Sequence, residues 1–250
     1  MAPHTLVVVP TYNERENLPG LAEQLLALGE HVEVLAIDDN SPDLTGQVAL
    51  ALAREHPRMK VLLRPAKMGL GTAYVAGFRY ALKGDYGCVV TMDSDFSHDP
   101  RYVPDLIALS AEYEVGIGSR YVPGGGTRNW GWRRRAMSRL ANGVARGALG
   151  LTARDCTAGF RCYRREAIER LPLDRLLSQG YGCLVEILYW LTRLGCSVGE
   201  TPITFVDRRA GRSKITVREI LGGVRVVWRL WRSYGRASVA RSVTGDRAGR

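Results

Sequence analysis

The chain has 250 residues, of which 46% are apolar and 24% charged, and its formal net charge is +10. This length suits one large domain or two small ones, and the apolar fraction is sufficient for a hydrophobic core. No apolar run reaches the roughly 18 residues of a membrane span, and residues 1–14 lack the pattern of a secretory signal, so we expect a cytoplasmic protein. Five cysteines without a CxxC pair argue against a disulfide framework or a zinc site and indicate free thiols.

The charge is divided unevenly along the chain. Residues 1–127 hold 10 Lys and Arg against 16 Asp and Glu, a net −6, whereas residues 128–250 hold 25 against 9, a net +16. A basic second half indicates an anionic partner, which can be a nucleic acid, a phosphate ligand or an anionic lipid surface. The acidic first half disfavours charge-driven nucleic-acid binding by the whole protein.

The first half alternates predicted strands with predicted helices. Apolar runs predict strands over 5–9, 32–37, 59–64, 86–92 and 113–120, and helical periodicity predicts helices over 18–29, 45–55, 69–82 and 100–111. This alternation is typical of a parallel sheet with helices packed on it, whose ligands bind beyond the C-terminal strand ends. Polar turn sequences follow the strands, namely "PTYNE", "DDNSPD", "RPAKMGLG", "DSDFSHD" and "GSRY". We therefore predict a binding edge there.

The second half is less regular and contains two basic amphipathic helices. Over 132–150, apolar residues at 132, 136, 137, 140, 144 and 148 form one stripe; over 215–232, the stripe consists of Ile220, Leu221, Val224, Val227, Trp228 and Trp231. Tryptophan-containing basic helices can lie in a membrane interface, although the same stripes are also compatible with core packing. The tail 236–250 is predicted to be flexible.

The segment "TMDSDFSHDP" places Asp93 and Asp95 directly after a predicted strand. Mg²⁺ and Mn²⁺ favour oxygen ligands, and Mg²⁺ usually takes one or two carboxylates together with substrate phosphates. In an extended segment the two carboxylates point to opposite faces, so both reach one metal only if the chain bends at Ser94; otherwise one can hold a ribose hydroxyl. Asp99 is interpreted as a turn or N-cap residue, and His98 as structural.

The segment "KMGLGTAY" places glycines before a helix, where backbone N–H groups can approach an anion and Lys67 adds positive charge. It is not a Walker A loop, and the third glycine of GxGxxG is replaced by Tyr74. A P-loop NTPase and a Rossmann dehydrogenase are therefore both disfavoured.

Several segments match one family in order: "VVPTYNERENLPGL", "DDNSPDLTG", "KMGLGTAY", "MDSDFSHDP", "GSRYVPGGG", "SRLAN", "DCTAGFRCYRREA" and "FVDRRAGRSKI". From about residue 5 to 220, the chain resembles the polyprenol-phosphate (dolichol-phosphate) mannose synthases, which are inverting family 2 glycosyltransferases. The resemblance implies an α/β GT-A-type fold, with a mostly parallel sheet flanked by helices and with C-terminal amphipathic helices. It implies one domain over 1–235, with a nucleotide-sugar half at about 1–122 and an acceptor and membrane-facing half at about 123–235.

The resemblance further implies transfer of mannose from GDP-mannose to a polyprenyl monophosphate with Mg²⁺ or Mn²⁺. The implied donor-binding residues are Pro10, Tyr12, Glu14, Asp38, Asp39, Lys67, Asp93, Ser94, Asp95, Arg208 and Lys214. The implied acceptor-phosphate residues are Arg120, Arg134 and Ser138, and the implied metal ligands are Asp93, Asp95 and Ser97. Four residues are expected to be catalytic: Asp93, Asp95, Arg120 and Arg208.

The expected partners are the two substrates, a membrane surface and a separate membrane protein, without nucleic acid. The expected location is peripheral, at the inner face of the cytoplasmic membrane. A phosphate monoester is largely ionised at neutral pH, so this acceptor needs no strong general base. One alternative is the same reaction with another donor such as UDP-glucose, because one pocket contact can decide sugar identity. The other is a non-catalytic nucleotide-sugar or RNA-binding protein, although no RNA-binding signature is present.

Overall fold

The computed structural model describes residues 2–207 and 217–235. The predicted site residues Arg208 and Lys214 and the tail 236–250 lie outside this part of the chain. Its strands are β1 (Thr5–Thr11), β2 (Val32–Asp38), β3 (Met59–Leu63), β4 (Cys88–Thr91), β5 (Val115–Ser119), β6 (Gly126–Arg128), β7 (Arg161–Arg164), β8 (Val198–Pro202) and β9 (Thr204–Val206). Its helices are α1 (Leu18–Leu26), α2 (Thr45–Glu55), α3 (Leu70–Lys83), α4 (Val103–Leu109), α5 (Trp132–Leu149), α6 (Arg165–Arg170), α7 (Gly182–Arg193) and α8 (Val217–Tyr234).

The main sheet has seven strands in the order β3-β2-β1-β4-β7-β5-β8. β7 is antiparallel to both of its neighbours, β4 and β5, while the other pairs in this sheet are parallel. Strands β6 and β9 form a small parallel sheet of their own. The predicted α/β fold with a mostly parallel sheet flanked by helices is confirmed.

Helices cover both faces of the main sheet, as the alternation of side chains along β1 shows. Leu6 and Val8 belong to one buried cluster with residues of α3, α5 and α7, whereas Val7 and Val9 belong to a second cluster with residues of α1, α2 and α4. Successive strand residues point to opposite faces, so a strand buried on both sides is apolar throughout. This explains why residues 6–9, "LVVV", form an unbroken apolar run.

The predicted elements of the first half are confirmed to within about three residues at each end. The predicted helix over 100–111 is divided into a 3₁₀ turn, Pro100–Tyr102, followed by the shorter α4. Asp99 precedes this turn, and its carboxylate accepts a hydrogen bond from the Arg101 N–H, which confirms its interpretation as a cap. All five cysteines are free, as the sequence indicated, and the structure shows that all five are buried.

The two amphipathic helices pack against each other, and α8 also packs against α7. The buried residues of α5 are Asn142, Ala145 and Leu149, and of the predicted apolar stripe only Ala148 packs against the core. The rest of the stripe is exposed, with Trp132 73% and Leu140 67% accessible. None of the helices in the described residues combines the length and hydropathy needed to cross a bilayer.

Helix α8, like α5, has a few buried side chains and several exposed apolar ones. Val226 and Leu230 are buried, whereas Val224, Trp228 and Trp231 are each more than half exposed. The side chains of 217–221, which include the predicted stripe residues Ile220 and Leu221, lie outside the description. We call the exposed apolar side chains of both helices the apolar face; its members are Trp132, Met137, Leu140, Val144, Val224, Trp228 and Trp231.

Candidate active site

A cavity of about 210 Å³ lies at the C-terminal ends of β1, β2 and β4. Eight of the predicted donor-binding residues line it: Pro10, Tyr12, Glu14, Asp39, Lys67, Asp93, Ser94 and Asp95. The remaining lining residues are Thr11, Gly69, Leu70, Ala73, Gly180 and Tyr181. Eight of the fourteen lining residues are therefore ones that the resemblance names, and the cavity lies at the sheet edge where the polar strand ends were predicted to meet.

The turn after β1 carries Tyr12 and Glu14 into the cavity wall. The ammonium group of Lys67 lies over the Tyr12 ring, 4.0 Å from its centroid, which is cation–π geometry. The Glu14 N–H donates to Thr45 Oγ1 at 2.9 Å, and Asn17 Nδ2 donates to the Glu14 carboxylate at 2.8 Å. These contacts tie the turn to the start of α2 and orient the Glu14 carboxylate.

Two adjacent aspartates at the end of β2 have different surroundings. Asp39 lines the cavity, and its carboxylate accepts hydrogen bonds from Arg64 and from the N–H groups of Met68 and Gly69, the latter two at 3.0 and 3.1 Å. The glycine loop was expected to present its N–H groups to a ligand anion. The structure differs, because the anion that these two N–H groups bind is the Asp39 carboxylate.

Asp38 does not line the cavity. Its buried carboxylate accepts hydrogen bonds from Thr11 Oγ1 at 3.0 Å and from the backbone N–H and hydroxyl of Ser41. The side chain therefore joins the ends of β1 and β2. We do not propose it as a donor contact.

The DxD segment bends from Ser94 onward, and Phe96 adopts a left-handed backbone conformation with φ 58°. Because of this bend, Asp93 and Asp95 both line the cavity instead of lying on opposite faces of a strand. Asp95 is nearly buried and accepts the Ser97 N–H at 3.1 Å, whereas the Asp93 side chain is 28% exposed. The condition set by the sequence, a bend at Ser94, is met.

Ser97, the predicted third metal ligand, is buried and is not among the residues that line the cavity. Its hydroxyl has no hydrogen-bond partner in the part of the chain that the structure describes. Among those residues, no group of three or more His, Cys, Asp or Glu side chains has metal-binding geometry. Two carboxylates on one cavity wall still suit a divalent cation that takes its other ligands from substrate phosphates and water.

His98 holds the backbone of the DxD segment through its imidazole ring. It is buried and stacked on Phe160, and its Nδ1 accepts a hydrogen bond from the Asp93 N–H at 3.0 Å. Burial lowers the pKa of His98 below its usual value, although the nearby Asp93 acts in the opposite direction. A neutral imidazole that accepts at Nδ1 fixes the Asp93 backbone, in agreement with the structural interpretation.

Arg120, a predicted acceptor-phosphate residue, is 9% exposed and forms a bidentate ion pair with the fully buried Asp155, with Nε and Nη2 at 2.7 and 2.6 Å from the carboxylate. Thr157 Oγ1 accepts another hydrogen bond from Arg120 Nη2 at 2.9 Å. Burial alone would raise the pKa of Asp155, but the charge and hydrogen bonds of Arg120 lower it below its usual value. The guanidinium is therefore held rigidly beside its carboxylate partner.

The other two predicted acceptor residues lie close to Arg120. The Arg134 guanidinium stacks on Trp130, 4.1 Å from the ring centroid, and donates to Asp207 at 2.8 Å, while the Tyr121 hydroxyl and Ser138 Oγ form a hydrogen bond of 2.7 Å. The Arg120 guanidinium lies 5.4 Å from the same Trp130 ring. Arg120, Arg134 and Ser138 thus form one cluster, although none of them lines the cavity.

Aromatic contacts connect this cluster to the DxD segment. Phe205 packs edge-on against both Trp130 and His98, with ring centroids 5.3 and 5.4 Å apart, and His98 in turn binds the Asp93 N–H. The predicted donor and acceptor residues are therefore linked by a continuous set of packed side chains.

Sequence reasoning missed the part of the cavity wall that comes from Gly180 and Tyr181. The loop before α7 is held by the buried Glu186, whose carboxylate accepts from the Ser178 N–H and from Arg229 of α8, both at 2.8 Å. The Gly71 N–H donates to the Gln179 carbonyl at 2.8 Å. No local signal identifies this loop, because α3, α7 and α8 are all needed to position it.

Residues 6–172 match the family model described as Glycosyl transferase family 2. The chain is 44% identical over 244 residues to a polyprenol monophosphomannose synthase of Mycolicibacterium smegmatis, which covers 96% of this chain and 91% of that protein. It is 43% identical over 211 residues to an undecaprenyl-phosphate mannosyltransferase of Micrococcus luteus, and the alignment covers 84% of this chain and 87% of that protein.

Solved structures of glucosyl-3-phosphoglycerate synthase from Mycobacterium tuberculosis share the fold. The complex with Mn²⁺, UDP-glucose and phosphoglyceric acid has a TM-score of 0.64 at 19% identity, and the complex with Mg²⁺ and UDP has 0.66 at 21%. Each comparison covers 92% of this chain and 79% of the other. On the family match and on its identity to these relatives, the chain belongs to glycosyl transferase family 2.

Proposed function

We propose that the protein is a metal-dependent, inverting glycosyltransferase that moves mannose from GDP-mannose to a polyprenyl monophosphate. The observation that carries the proposal is the grouping of eight predicted donor-binding residues, including both DxD carboxylates, around one cavity. The names of the two curated relatives support the sugar and the lipid acceptor.

The cavity provides separate groups for the parts of a nucleotide sugar. Glu14 and Asp39 offer carboxylates to the nucleoside, and the Lys67 ammonium over Tyr12 offers a cation for the diphosphate. Asp93 and Asp95 would hold Mg²⁺ or Mn²⁺. When bound, such a cation offsets the negative charge that develops on the leaving diphosphate.

The acceptor cluster aligns the nucleophile. A phosphate monoester oxygen attacks the anomeric carbon, the bond from that carbon to the diphosphate breaks on the opposite side, and the configuration inverts. No base removes a proton, because the acceptor phosphate is already ionised near neutral pH. Arg120, fixed by Asp155, and Arg134 with Ser138 would hold the acceptor phosphate by positioning and charge.

Arg208 and Lys214, outside the described residues, complete the proposal as diphosphate contacts from the segment after β9. The proposed unit is one domain over 1–235. The apolar face supports a peripheral location, which we propose to be the inner face of the cytoplasmic membrane, and it also suits a separate membrane-protein partner. Nucleic acid is not proposed as a ligand.

The test is an incubation of the purified protein with polyprenyl phosphate, Mg²⁺ or Mn²⁺, and one labelled sugar nucleotide at a time. We expect label in the lipid fraction from GDP-mannose and not without metal. Transfer from UDP-glucose alone would replace the donor assignment, and RNA retention without transfer from any donor would overturn the enzyme assignment.

Two aspartates of one loop serve as a matched pair in that assay. Asp95→Asn removes a proposed metal ligand, and loss of several kcal/mol of charge stabilisation lowers turnover by about 100-fold or more. Asp99→Asn alters the cap of the 3₁₀ turn and an exposed ion pair with Arg101, and it leaves turnover within about threefold of wild type, the range expected for a local surface change. Equal activity of the two variants would remove Asp95 from the metal site.

A further inference from the structure

A second cavity, of about 650 Å³, opens on one flank of α5. Its wall is formed by Arg120 and the loop Tyr121–Gly125 after β5, by four residues on one side of α5, and by Arg154; the α5 residues are Arg139, Asn142, Gly143 and Arg146. The loop has the sequence "YVPGG", and the proposed transfer reaction gives no role to its residues after Tyr121. This cavity is distinct from the one that carries the DxD residues, since the two share no lining residue.

The charge around this second cavity is strongly positive. Arg139, Arg146 and Arg154 are exposed, and among the described residues none of them forms an ion pair. Arg120 also lines the cavity, but it is paired with Asp155, and the proposed function assigns its guanidinium to the acceptor phosphate, so we do not count it among the groups that bind a further anion. No carboxylate lines the cavity. Three unbalanced guanidinium groups around a concave surface favour a phosphate-type anion, because arginine binds phosphate oxygens in pairs.

Two carboxylates lie behind this wall, and both are engaged elsewhere. Asp155 is bound to Arg120, and Glu200 accepts the backbone N–H groups of Arg154 and Asp155 at 2.7 and 3.0 Å. They fix the backbone around Arg154 and do not pair with its side chain. The three arginines therefore keep their donors available for a ligand.

Gly143 provides the space between two of these arginines. Arg139 and Arg146 are seven positions apart, so they lie two helical turns from each other on the same flank of α5, with Gly143 on the turn between them. A Cβ atom added to Gly143 would meet no atom within 4 Å. An anion can therefore approach the helix backbone between the two guanidinium groups.

The neighbouring face of α5 identifies the source of the anion. Leu140 and Val144 directly follow Arg139 and Gly143 in the chain, so they lie about 100° further round the helix, and they belong to the exposed apolar face. When such side chains enter the acyl region, adjacent arginines reach the headgroup level with their charged ends. This arrangement fits a phospholipid better than a soluble phosphate, which gains nothing from the apolar residues.

We propose that the arginine pocket, consisting of Arg139, Arg146, Arg154 and Gly143, binds the phosphate of an anionic phospholipid headgroup when the apolar face lies on a membrane. The pocket adds a lipid-selective contact to the proposed membrane face. It does not depend on the identity of the transferred sugar.

The experiment is sedimentation of the full chain with vesicles in the absence of both substrates. Wild type should bind vesicles of phosphatidylcholine with phosphatidylglycerol more tightly than vesicles of phosphatidylcholine alone. The double variant Arg139→Gln/Arg146→Gln should weaken binding to the anionic vesicles by roughly thirty-fold, the size expected when two arginines leave an anionic surface. Arg54→Gln on α2 removes an exposed charge away from the pocket and should leave binding within about twofold, as for a charge far from the contact.

Gly143→Leu distinguishes a pocket from general surface charge, because it fills the space without changing the net charge. We expect the ratio of affinities for anionic and neutral vesicles to fall by about as much as it does on loss of one arginine, roughly fivefold. An unchanged ratio would overturn the pocket, as would an Arg139→Gln/Arg146→Gln variant that binds like wild type. Competition by soluble glycerol phosphate at equal concentration, or tighter retention of RNA than of vesicles, would also overturn the lipid assignment.

The same variants separate this proposal from the transferase. With detergent-dispersed polyprenyl phosphate, Arg139→Gln/Arg146→Gln should transfer sugar at the wild-type rate, because neither residue belongs to the proposed catalytic or substrate-binding groups. Failure of wild type to transfer any sugar would contradict the proposed function and leave the vesicle results unaffected.

Discussion

Replacing Asp155 with asparagine should destabilise the protein far more than its conservative size suggests. The carboxylate is fully buried and binds the Arg120 guanidinium through two short hydrogen bonds, at 2.7 and 2.6 Å, and the Arg120 N–H at 3.0 Å. Asparagine has no negative charge, so the buried Arg120 guanidinium loses its counter-charge. The NH₂ group of asparagine would also face the N–H donors of Arg120, which need an acceptor. Breaking one side of a buried pair costs about 3–5 kcal/mol, against a total stability of about 5–15 kcal/mol for a natural protein.

The control is the ion pair between Arg134 and Asp207, whose side chains are 33% and 35% exposed. Asp207→Asn neutralises a partly exposed carboxylate that accepts one hydrogen bond from Arg134, in contrast to the buried bidentate pair, and it should cost at most about 1 kcal/mol. Urea unfolding followed by far-ultraviolet circular dichroism measures both, and urea leaves ionic strength constant. If Asp155→Asn lowers the free energy of unfolding by less than about 1 kcal/mol, the value of an exposed pair, the reasoning is refuted. Burial would then not determine the strength of the Arg120–Asp155 ion pair.

Three further outcomes follow from the same structure. A methyl group at Gly71 would overlap the Ser178 carbonyl oxygen. Gly71→Ala should therefore lower the free energy of unfolding by about 1–3 kcal/mol through overpacking and raise the donor KM. Gly147→Ala is the control, because the position has open space for a Cβ atom, and it should stabilise α5 by about 0.5–1 kcal/mol. Glu186→Gln weakens hydrogen bonds to a buried carboxylate and should lose about 1.5–3 kcal/mol with a higher donor KM at little changed kcat, since Glu186 acts through the loop. The lowered pKa of Asp155 contributes stability above its unfolded pKa of about 3.9 that is lost as pH falls further, so the melting temperature should drop more steeply below about pH 4 in wild type than in Asp155→Asn.

Local sequence was sufficient for the first half of the fold. The strand containing "TLVVV" is marked by its apolar run and the helix over 45–55 by its helical periodicity, so neighbours in sequence are enough to identify them. The DxD segment was identified for the same reason, since it follows an apolar strand. The choice between Asp38 and Asp39 was beyond that reasoning, because adjacent side chains leave a strand end in opposite directions and only the packed structure shows which one faces the cavity.

The second half was less predictable because its elements depend on distant partners. β7 has only four residues, "RCYR", and its two arginines give it no apolar pattern from which a strand could be predicted. Its first residue, Arg161, is nevertheless fully buried, and its guanidinium donates to the carbonyls of Leu184 and Cys156. The loop that brings Gly180 and Tyr181 to the cavity likewise depends on Glu186. The exposure of the α5 stripe also required the structure, since a helical pattern shows that a face is apolar and not what covers it.

The position of β7 has a consequence for how the chain folds. β4 and β5 do not pair with each other, and β7, which begins 42 residues after the end of β5, is the strand that joins them. Until residues 161–164 have been synthesised, β5, which precedes Arg120, has neither of its strand partners, β7 and β8, and is not joined to the sheet that carries the DxD segment. Pairings that are distant in sequence form slowly, because a long loop must close first. The donor and acceptor parts of the site therefore become aligned in a single late step, and a mutation that delays β7 should reduce the yield of active protein more than the stability of the finished fold.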